Sequence, residues 1–231
     1  MKSRFSWQPD RLWRMIVSWL ATFLTPFVLV FFGLRVVASP LFLEIEYRRP
    51  GFPPDPYGFT VEERLRYSNL CLQYLTSPSD ISLLAEQTFE NGRPLFNARE
   101  LRHMRDVKAV FVPVVNLGFG LTLVLFGLLL VAQRRPWRMD FIMGIRRGGW
   151  LTFGLIVVLG LFSALSFWTF FEKFHSLFFE AETWIFPYSD TLIRLYPLRF
   201  WQDAVLVLFT VAGGLGLFLG LTLRRSPPRP S

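Results

Sequence analysis

Residues 109–131 read AVFVPVVNLGFGLTLVLFGLLLV, twenty-three residues without a single charge. As a helix this run extends about 34 Å at 1.5 Å per residue, enough to cross a hydrocarbon core of about 30 Å. Three more runs have the same character: Met15–Leu34, Trp150–Phe171 and Ala204–Leu223. Four such runs define a polytopic membrane protein, mainly α, with four transmembrane helices.

The charges lie between the apolar runs. The chain has 231 residues, is 18% charged and 52% hydrophobic, and carries a formal charge of +8. Twelve basic residues fall in three places: Lys2, Arg4, Arg11 and Arg14 before the first run; Arg134, Arg135, Arg138, Arg146 and Arg147 between the second and third; and Arg224, Arg225 and Arg229 after the fourth. Only Asp10 and Asp140 oppose them there. Basic residues flanking spans mark the cytoplasmic side, so the positive charge is a topology signal rather than a nucleic-acid footprint, and no nucleic-acid partner is expected. The predicted order is 1–14 cytoplasmic N-terminus, 15–38 first span, 39–108 extracytoplasmic loop, 109–133 second span and 134–149 cytoplasmic loop. It continues with 150–171 third span, 172–203 extracytoplasmic loop, 204–223 fourth span and 224–231 cytoplasmic tail. The first run is longer than the 7–15 residues of a signal-peptide core and reads as an uncleaved anchor. Both termini face the cytoplasm of a bacterial cell membrane in this reading.

The first extracytoplasmic loop is long enough to fold. Leu43-Glu44-Ile45-Glu46-Tyr47 alternates apolar and charged residues and predicts a strand. Pro50-Gly51-Phe52-Pro53-Pro54-Asp55-Pro56 is a breaker run. Thr60 with Glu63 three residues on has capping-box spacing and predicts a helix over Val61–Leu75. Ser79 or Asp80 caps a second through Glu86. Asn97 caps a third that runs through Glu100, His103 and Asp106 into the second span. The expectation is a small α+β cap. Cys71, the single cysteine, excludes an internal disulfide and reads as a buried apolar residue. Pro26 is expected to kink the first span. In the fourth, Gly213, Gly214, Gly216 and Gly220 present a smooth face suited to close helix packing.

The chain has two histidines, His103 just before the second span and His175 just after the third. With continuous helices they stand about 9 Å and about 6 Å above their spans, both at headgroup depth. Spans joined by a short loop pack as antiparallel neighbours, which brings the two imidazoles toward one cleft. Two groups titrating near neutrality suit proton transfer at a lipid headgroup. Asp106 lies three residues after His103 and Glu172 three before His175, spacings at which a carboxylate can fix a tautomer. The same spacings occur in satisfied interfacial residues, and that reading stays open. The second extracytoplasmic loop is dense in aromatics, either a plain interfacial belt or the wall of an acyl or headgroup pocket. Phe178, Trp184 and Arg35 are the candidate pocket residues, although Arg35 also suits a headgroup anchor. No metal site or cofactor is expected: a catalytic zinc wants three protein ligands, and nucleophile-elbow, zinc-helix and phosphate-loop motifs are absent.

These residues resemble a known family. Arg99-Glu100-Leu101-Arg102-His103-Met104-Arg105-Asp106-Val107-Lys108 is similar to its H-x-x-D-V segment. Phe174-His175-Ser176-Leu177-Phe178-Phe179 followed by Trp184-Ile185-Phe186, Asp190, Leu192-Ile193 and Pro197 is similar to its F-H-x-x-F-F…W-x-F…D-x-L-I…P segment. Tyr57-Gly58-Phe59-Thr60 with Glu62-Glu63 and Tyr74-Leu75 fits as well. The family is DUF1461, bacterial four-span membrane proteins that include the lipoprotein intramolecular transacylase. The resemblance implies an enzyme that moves the sn-2 acyl chain of a diacylglyceryl lipoprotein to the amine of its N-terminal cysteine. It places the catalytic pair on His103 and His175, with Asp106 and Asp190 in orienting roles, and implies a lipid-modified protein substrate and membrane lipids as partners. Two alternatives stand beside it. One is a lipid acyl hydrolase using the same histidines; the other is a non-enzymatic subunit of a membrane complex that docks through the glycine face of the fourth span.

Overall fold

The computed structural model describes residues 9–180 and 183–223, with side chains from Arg11 onward. The N-terminal Lys2 and Arg4, the side chain of Asp10 and the tail arginines Arg224, Arg225 and Arg229 lie outside the described residues. The helices in chain order are α1 (Pro9–Val37), α2 (Pro40–Arg48), α3 (Val61–Thr76), α4 (Ser82–Ala85), α5 (Ala98–Ala132), α6 (Arg138–Leu165), α7 (Phe167–Phe178), α8 (Thr191–Leu195) and α9 (Leu198–Thr222). Four of them, α1, α5, α6 and α9, are long and apolar enough to cross a membrane. The chain forms two compact units, and each long helix contributes to both.

Among the described residues, the first unit comprises 9–32, 118–158 and 209–223. It is built on glycines that let helices touch backbone to backbone. A Cβ on Gly144 would lie 2.3 Å from the Ser18 carbonyl oxygen, one on Gly148 2.5 Å from Thr25 Cβ, and one on Gly216 2.7 Å from the Gly149 carbonyl oxygen. Gly213, Gly216 and Gly220 of the fourth span therefore serve packing within the chain, whereas Gly214 faces open space. The same fact removes Gly216 and Gly220 as a free docking face, because α6 already occupies it. Polar groups reinforce the contact: Ser18 donates to the Asp140 carbonyl at 2.7 Å and Arg147 donates to Ser18 Oγ at 2.6 Å. Arg146 and Arg147 belong to helix α6, so the connection between α5 and α6 is five residues, 133–137.

Among the described residues, the second unit comprises 33–117, 159–180 and 183–208. Its cap is helical, and no strand occurs among the described residues; the α+β expectation is corrected. An isolated bridge joins Thr88 and Pro94 around Asn91-Gly92, where Gly92 has φ +77°. The predicted strand at Leu43–Tyr47 is part of α2. Ser39 accepts a hydrogen bond from the Phe42 amide and Pro40 occupies the first turn, a start signal that outweighs the alternation. Burial follows the helix: Glu46 is 3% exposed while Ile45 is 59% exposed. In α3 the capping box between Thr60 and Glu63 forms as its spacing predicts. The segment expected to be capped by Ser79 or Asp80 shrinks to the single turn α4, whose N-cap is Ile81; Asp80 accepts from the Ser82 amide at 3.1 Å. Pro26 lies within α1, which stays continuous through it.

The cap core gathers Phe59, Tyr67, Cys71, Tyr74, Leu84, Leu95, Met104, Leu192 and Leu195. Cys71 is buried there, and burial pushes its thiol up to about 12, so it is an inert apolar residue. Short polar ties fix the periphery. Asp55 accepts from both Arg194 Nε and Nη2 at 3.0 and 2.9 Å and from the Phe59 amide at 2.8 Å, holding the proline-rich loop to α8. Lys108 donates to the carbonyls of Ser77 and Ser79 at 2.9 and 2.6 Å, closing the end of α3 onto α5.

Candidate active site

Both histidines fall in the second unit. His103 stands on the second turn of α5, whose start is fixed by a reciprocal cap: Asn97 Oδ1 accepts from the Glu100 amide at 3.1 Å, and Glu100 Oε2 accepts from the Asn97 amide at 2.8 Å. The other oxygen of Glu100 accepts from the Leu192 amide at 2.7 Å. One fully buried carboxylate thus pins α8 and the loop before it against the start of α5. Sequence reasoning passed over Glu100 as a site-forming residue, although its place three residues after Asn97 has capping-box spacing.

The expected continuity of the third span into His175 does not occur. Helix α6 ends at Leu165, Ser166 breaks it with φ −154° and ψ 89°, and His175 lies in the last turn of the separate helix α7. The depth of about 6 Å computed from a continuous helix therefore does not apply. His103 does lie on a helix continuous with its span.

Aromatic rings bring the two imidazoles together. Phe179 lies 5.2 Å from the His103 ring and 5.7 Å from the His175 ring. Phe186 packs edge-to-face against His103 at 5.3 Å. Trp184 and Phe171 lie 4.7 and 4.0 Å from His175. His175 Nδ1 is 2.8 Å from the Phe171 carbonyl oxygen. A carbonyl only accepts, so Nδ1 carries the proton and Nε2 of the neutral ring has a free lone pair. Burial among these rings holds His175 below the usual histidine range, favouring that neutral ring. His103 Nδ1 is buried and has no hydrogen-bond partner among the described residues.

The supporting residues fall differently from their spacing. Asp106 forms no hydrogen bond with His103, whose Nδ1 is unpartnered. Glu172 is exposed, and the bond it was expected to give His175 is made by the Phe171 carbonyl. Asp190 pairs with Arg99 at 2.9 Å, and the Arg99 guanidinium lies 5.4 Å over the Phe186 ring that flanks His103. Asp190 thus reaches His103 through two intermediaries. Trp184 touches His175 directly, whereas Phe178 is largely exposed and reaches it through Phe174 and Phe179. Arg35, in the last turn of α1, is half-buried and forms no ion pair among the described residues. No cluster of three or more His, Cys, Asp or Glu that could hold a metal ion occurs among the described residues.

Four apolar helices and a helical cap that carries two histidines among aromatic rings define a polytopic membrane protein. The family described as lipoprotein intramolecular transacylase Lit matches residues 19–201, and the chain belongs to that family. A protein of Aquifex aeolicus (strain VF5), described as uncharacterized, is 32% identical over 215 residues, covering 90% of this chain and 94% of its own. The fold is similar to that of the membrane integral lipoprotein intramolecular transacylase Lit from Bacillus cereus, with a TM-score of 0.69 and 23% identity over 91% of this chain and 92% of the other. A histidine-to-alanine variant of that protein matches with a TM-score of 0.67 and 19% identity over 91% of each chain.

Proposed function

We propose that this protein is an intramolecular transacylase of the bacterial cytoplasmic membrane, with its site on the extracytoplasmic face. In this reading it moves the sn-2 acyl chain of a diacylglyceryl lipoprotein to the amine of the same N-terminal cysteine. The observation that carries the reading is the pair of imidazoles packed on one phenylalanine, His175 with a free Nε2 and His103 with an unpartnered Nδ1.

The chemistry needs no enzyme nucleophile, because the attacking amine belongs to the substrate. The amine attacks the sn-2 ester carbonyl, the amide C–N bond forms, and the ester C–O bond breaks. One proton leaves the nitrogen and one reaches the glyceryl oxygen; with His175 as acceptor and His103 as donor, the proton that His175 gains passes back to His103 before the next turnover, which returns the pair to its starting state. His175, neutral with Nε2 open, is the acceptor of the amine proton. His103 is the group that serves the departing oxygen. Trp184 and Phe178 line the approach of the acyl chain, and Arg35 attends the headgroup region. Asp190 positions His103 through Arg99 and Phe186. Asp106 and Glu172 bind neither imidazole in this arrangement. Holding amine and ester in one frame is the main source of acceleration in such a transfer.

The test is mass spectrometry of the N-terminal lipopeptide of a reporter lipoprotein in a host without other N-acylation. The wild type is expected to give a lyso form bearing an N-acyl amide, and His103→Ala and His175→Ala unchanged diacylglyceryl peptide. Free fatty acid in place of the amide would favour hydrolysis, and product from both variants would refute the histidine mechanism.

A further inference from the structure

Helix α7 has two faces. Its polar residues Thr169, Glu172, Lys173 and Ser176 fall within about 100° of arc at 100° per residue, and its aromatic and aliphatic residues take the rest. All four polar residues are exposed. So is much of the apolar face: Trp168 is 57% exposed, Phe174 49%, Leu177 77% and Phe178 45%. At the adjoining end of α6, Leu161 and Leu165 are also exposed. Helix α6 is long and apolar enough to cross a membrane, which makes lipid the expected cover of those two leucines. The Ser166 break lets α7 leave the α6 axis. Residues eight apart in an unbroken helix are about 12 Å apart along its axis, yet the rings of Phe162 and Phe170 lie 5.8 Å apart.

We propose that α7 is an interfacial helix, seated at the boundary of acyl chains and headgroups with Trp168, Phe174, Leu177 and Phe178 in the lipid, and that bilayer acyl chains thereby reach the ring beside His175. A short amphipathic helix with aromatics on one face and charges on the other suits that position. Phe174 carries the second part, since its ring is half-exposed on the lipid face and lies 5.6 Å from the His175 imidazole. A substrate held in the membrane by its own acyl chains then approaches His175 sideways from the bilayer. This last step rests on the acyl-transfer reading, whereas the seating of α7 does not.

The experiment is spin labelling of single cysteines at Thr169, Phe174, Ser176 and Leu177 in the full chain reconstituted in phosphatidylglycerol–phosphatidylethanolamine liposomes. Collision with oxygen, which concentrates in lipid, is compared with collision with a water-soluble nickel chelate. Phe174 and Leu177 are expected to favour oxygen, and Thr169 and Ser176 the nickel chelate, with a several-fold reversal between the neighbours Ser176 and Leu177. Adjacent exposed positions control for misfolding, which would affect both alike. Equal nickel accessibility at all four would overturn the proposal. Because the readout needs no turnover, the expected alternation in a protein without transacylase activity would leave the seating of α7 standing and refute only the acyl-transfer reading.

Discussion

His175 illustrates how one buried imidazole can make stability depend on pH. Its folded pKa lies below the ordinary 6.5 because burial penalises the cation. Below that pH the unfolded chain binds the proton more readily than the folded one, so stability present above about 6.5 is lost as pH falls through the folded value. The melting temperature of the purified protein should therefore drop more steeply from about pH 7 to pH 5 in the wild type than in His175→Gln; equal slopes would mean the imidazole is not held neutral. Glu100 presents the opposite case, a fully buried carboxylate whose two oxygens accept from two backbone amides. Hydrogen bonds to charged groups contribute about 1.5–3 kcal/mol each, and they are not additive. Glu100→Ala is expected to cost about 2–3 kcal/mol and to loosen the loop that carries Phe186, read as lower thermal stability together with reduced transacylation. An unchanged melting point would show that α8 is held by its apolar contacts alone.

Elements were legible where start signals and periodicity agreed. Thr60 and Glu63 marked the start of α3, and Asn97 that of α5, because caps satisfy amides that the helix itself leaves open. Leu43–Tyr47 misled because alternation over five residues also fits one helical turn and a half, and the deciding Ser39-Pro40 lay outside the window. The break at Ser166 had no sequence mark, since the run around it contains neither glycine nor proline. The two histidines were legible as the only pair available, but their partners were not. His175 is served by a backbone carbonyl, which no side-chain spacing reveals, and Phe179 stood among many equivalent aromatics. Lys108 gives this scale its own test. Its ammonium binds two carbonyls past the end of α3 and lies 4.2 Å over the Tyr74 ring. Lys108→Met keeps the stem and removes the charge, and should cost about 2 kcal/mol with faster amide exchange in the last turn of α3. Unaltered exchange there would assign the anchoring to the apolar core.

At the scale of the whole molecule, the glycines separate packing faces from lipid faces. Gly216→Leu should abolish folding by driving side-chain atoms into the Gly149 backbone, whereas Gly127→Leu, with nothing within 4 Å of its Cβ position, should accumulate normally in membranes. The glycine variant therefore reports assembly of the chain and not the docking of a partner. Topology is the larger question, and the single native cysteine makes it clean to ask. Cys71 is 1% exposed and its thiol is pushed up to about 12, so it contributes little background to thiol labelling. Ser189, just before α8, and Gln133, between α5 and α6, are both exposed. Gln133 adjoins Arg134, Arg135 and Arg138, the cluster that should remain cytoplasmic, because retaining basic residues there sets the orientation of the spans. A cysteine at Ser189 is then expected to react with an impermeant maleimide in intact cells, and one at Gln133 only after permeabilisation. The reverse pattern would place both histidines on the cytoplasmic side and withdraw them from an extracytoplasmic lipoprotein substrate, even with every contact within the site unchanged.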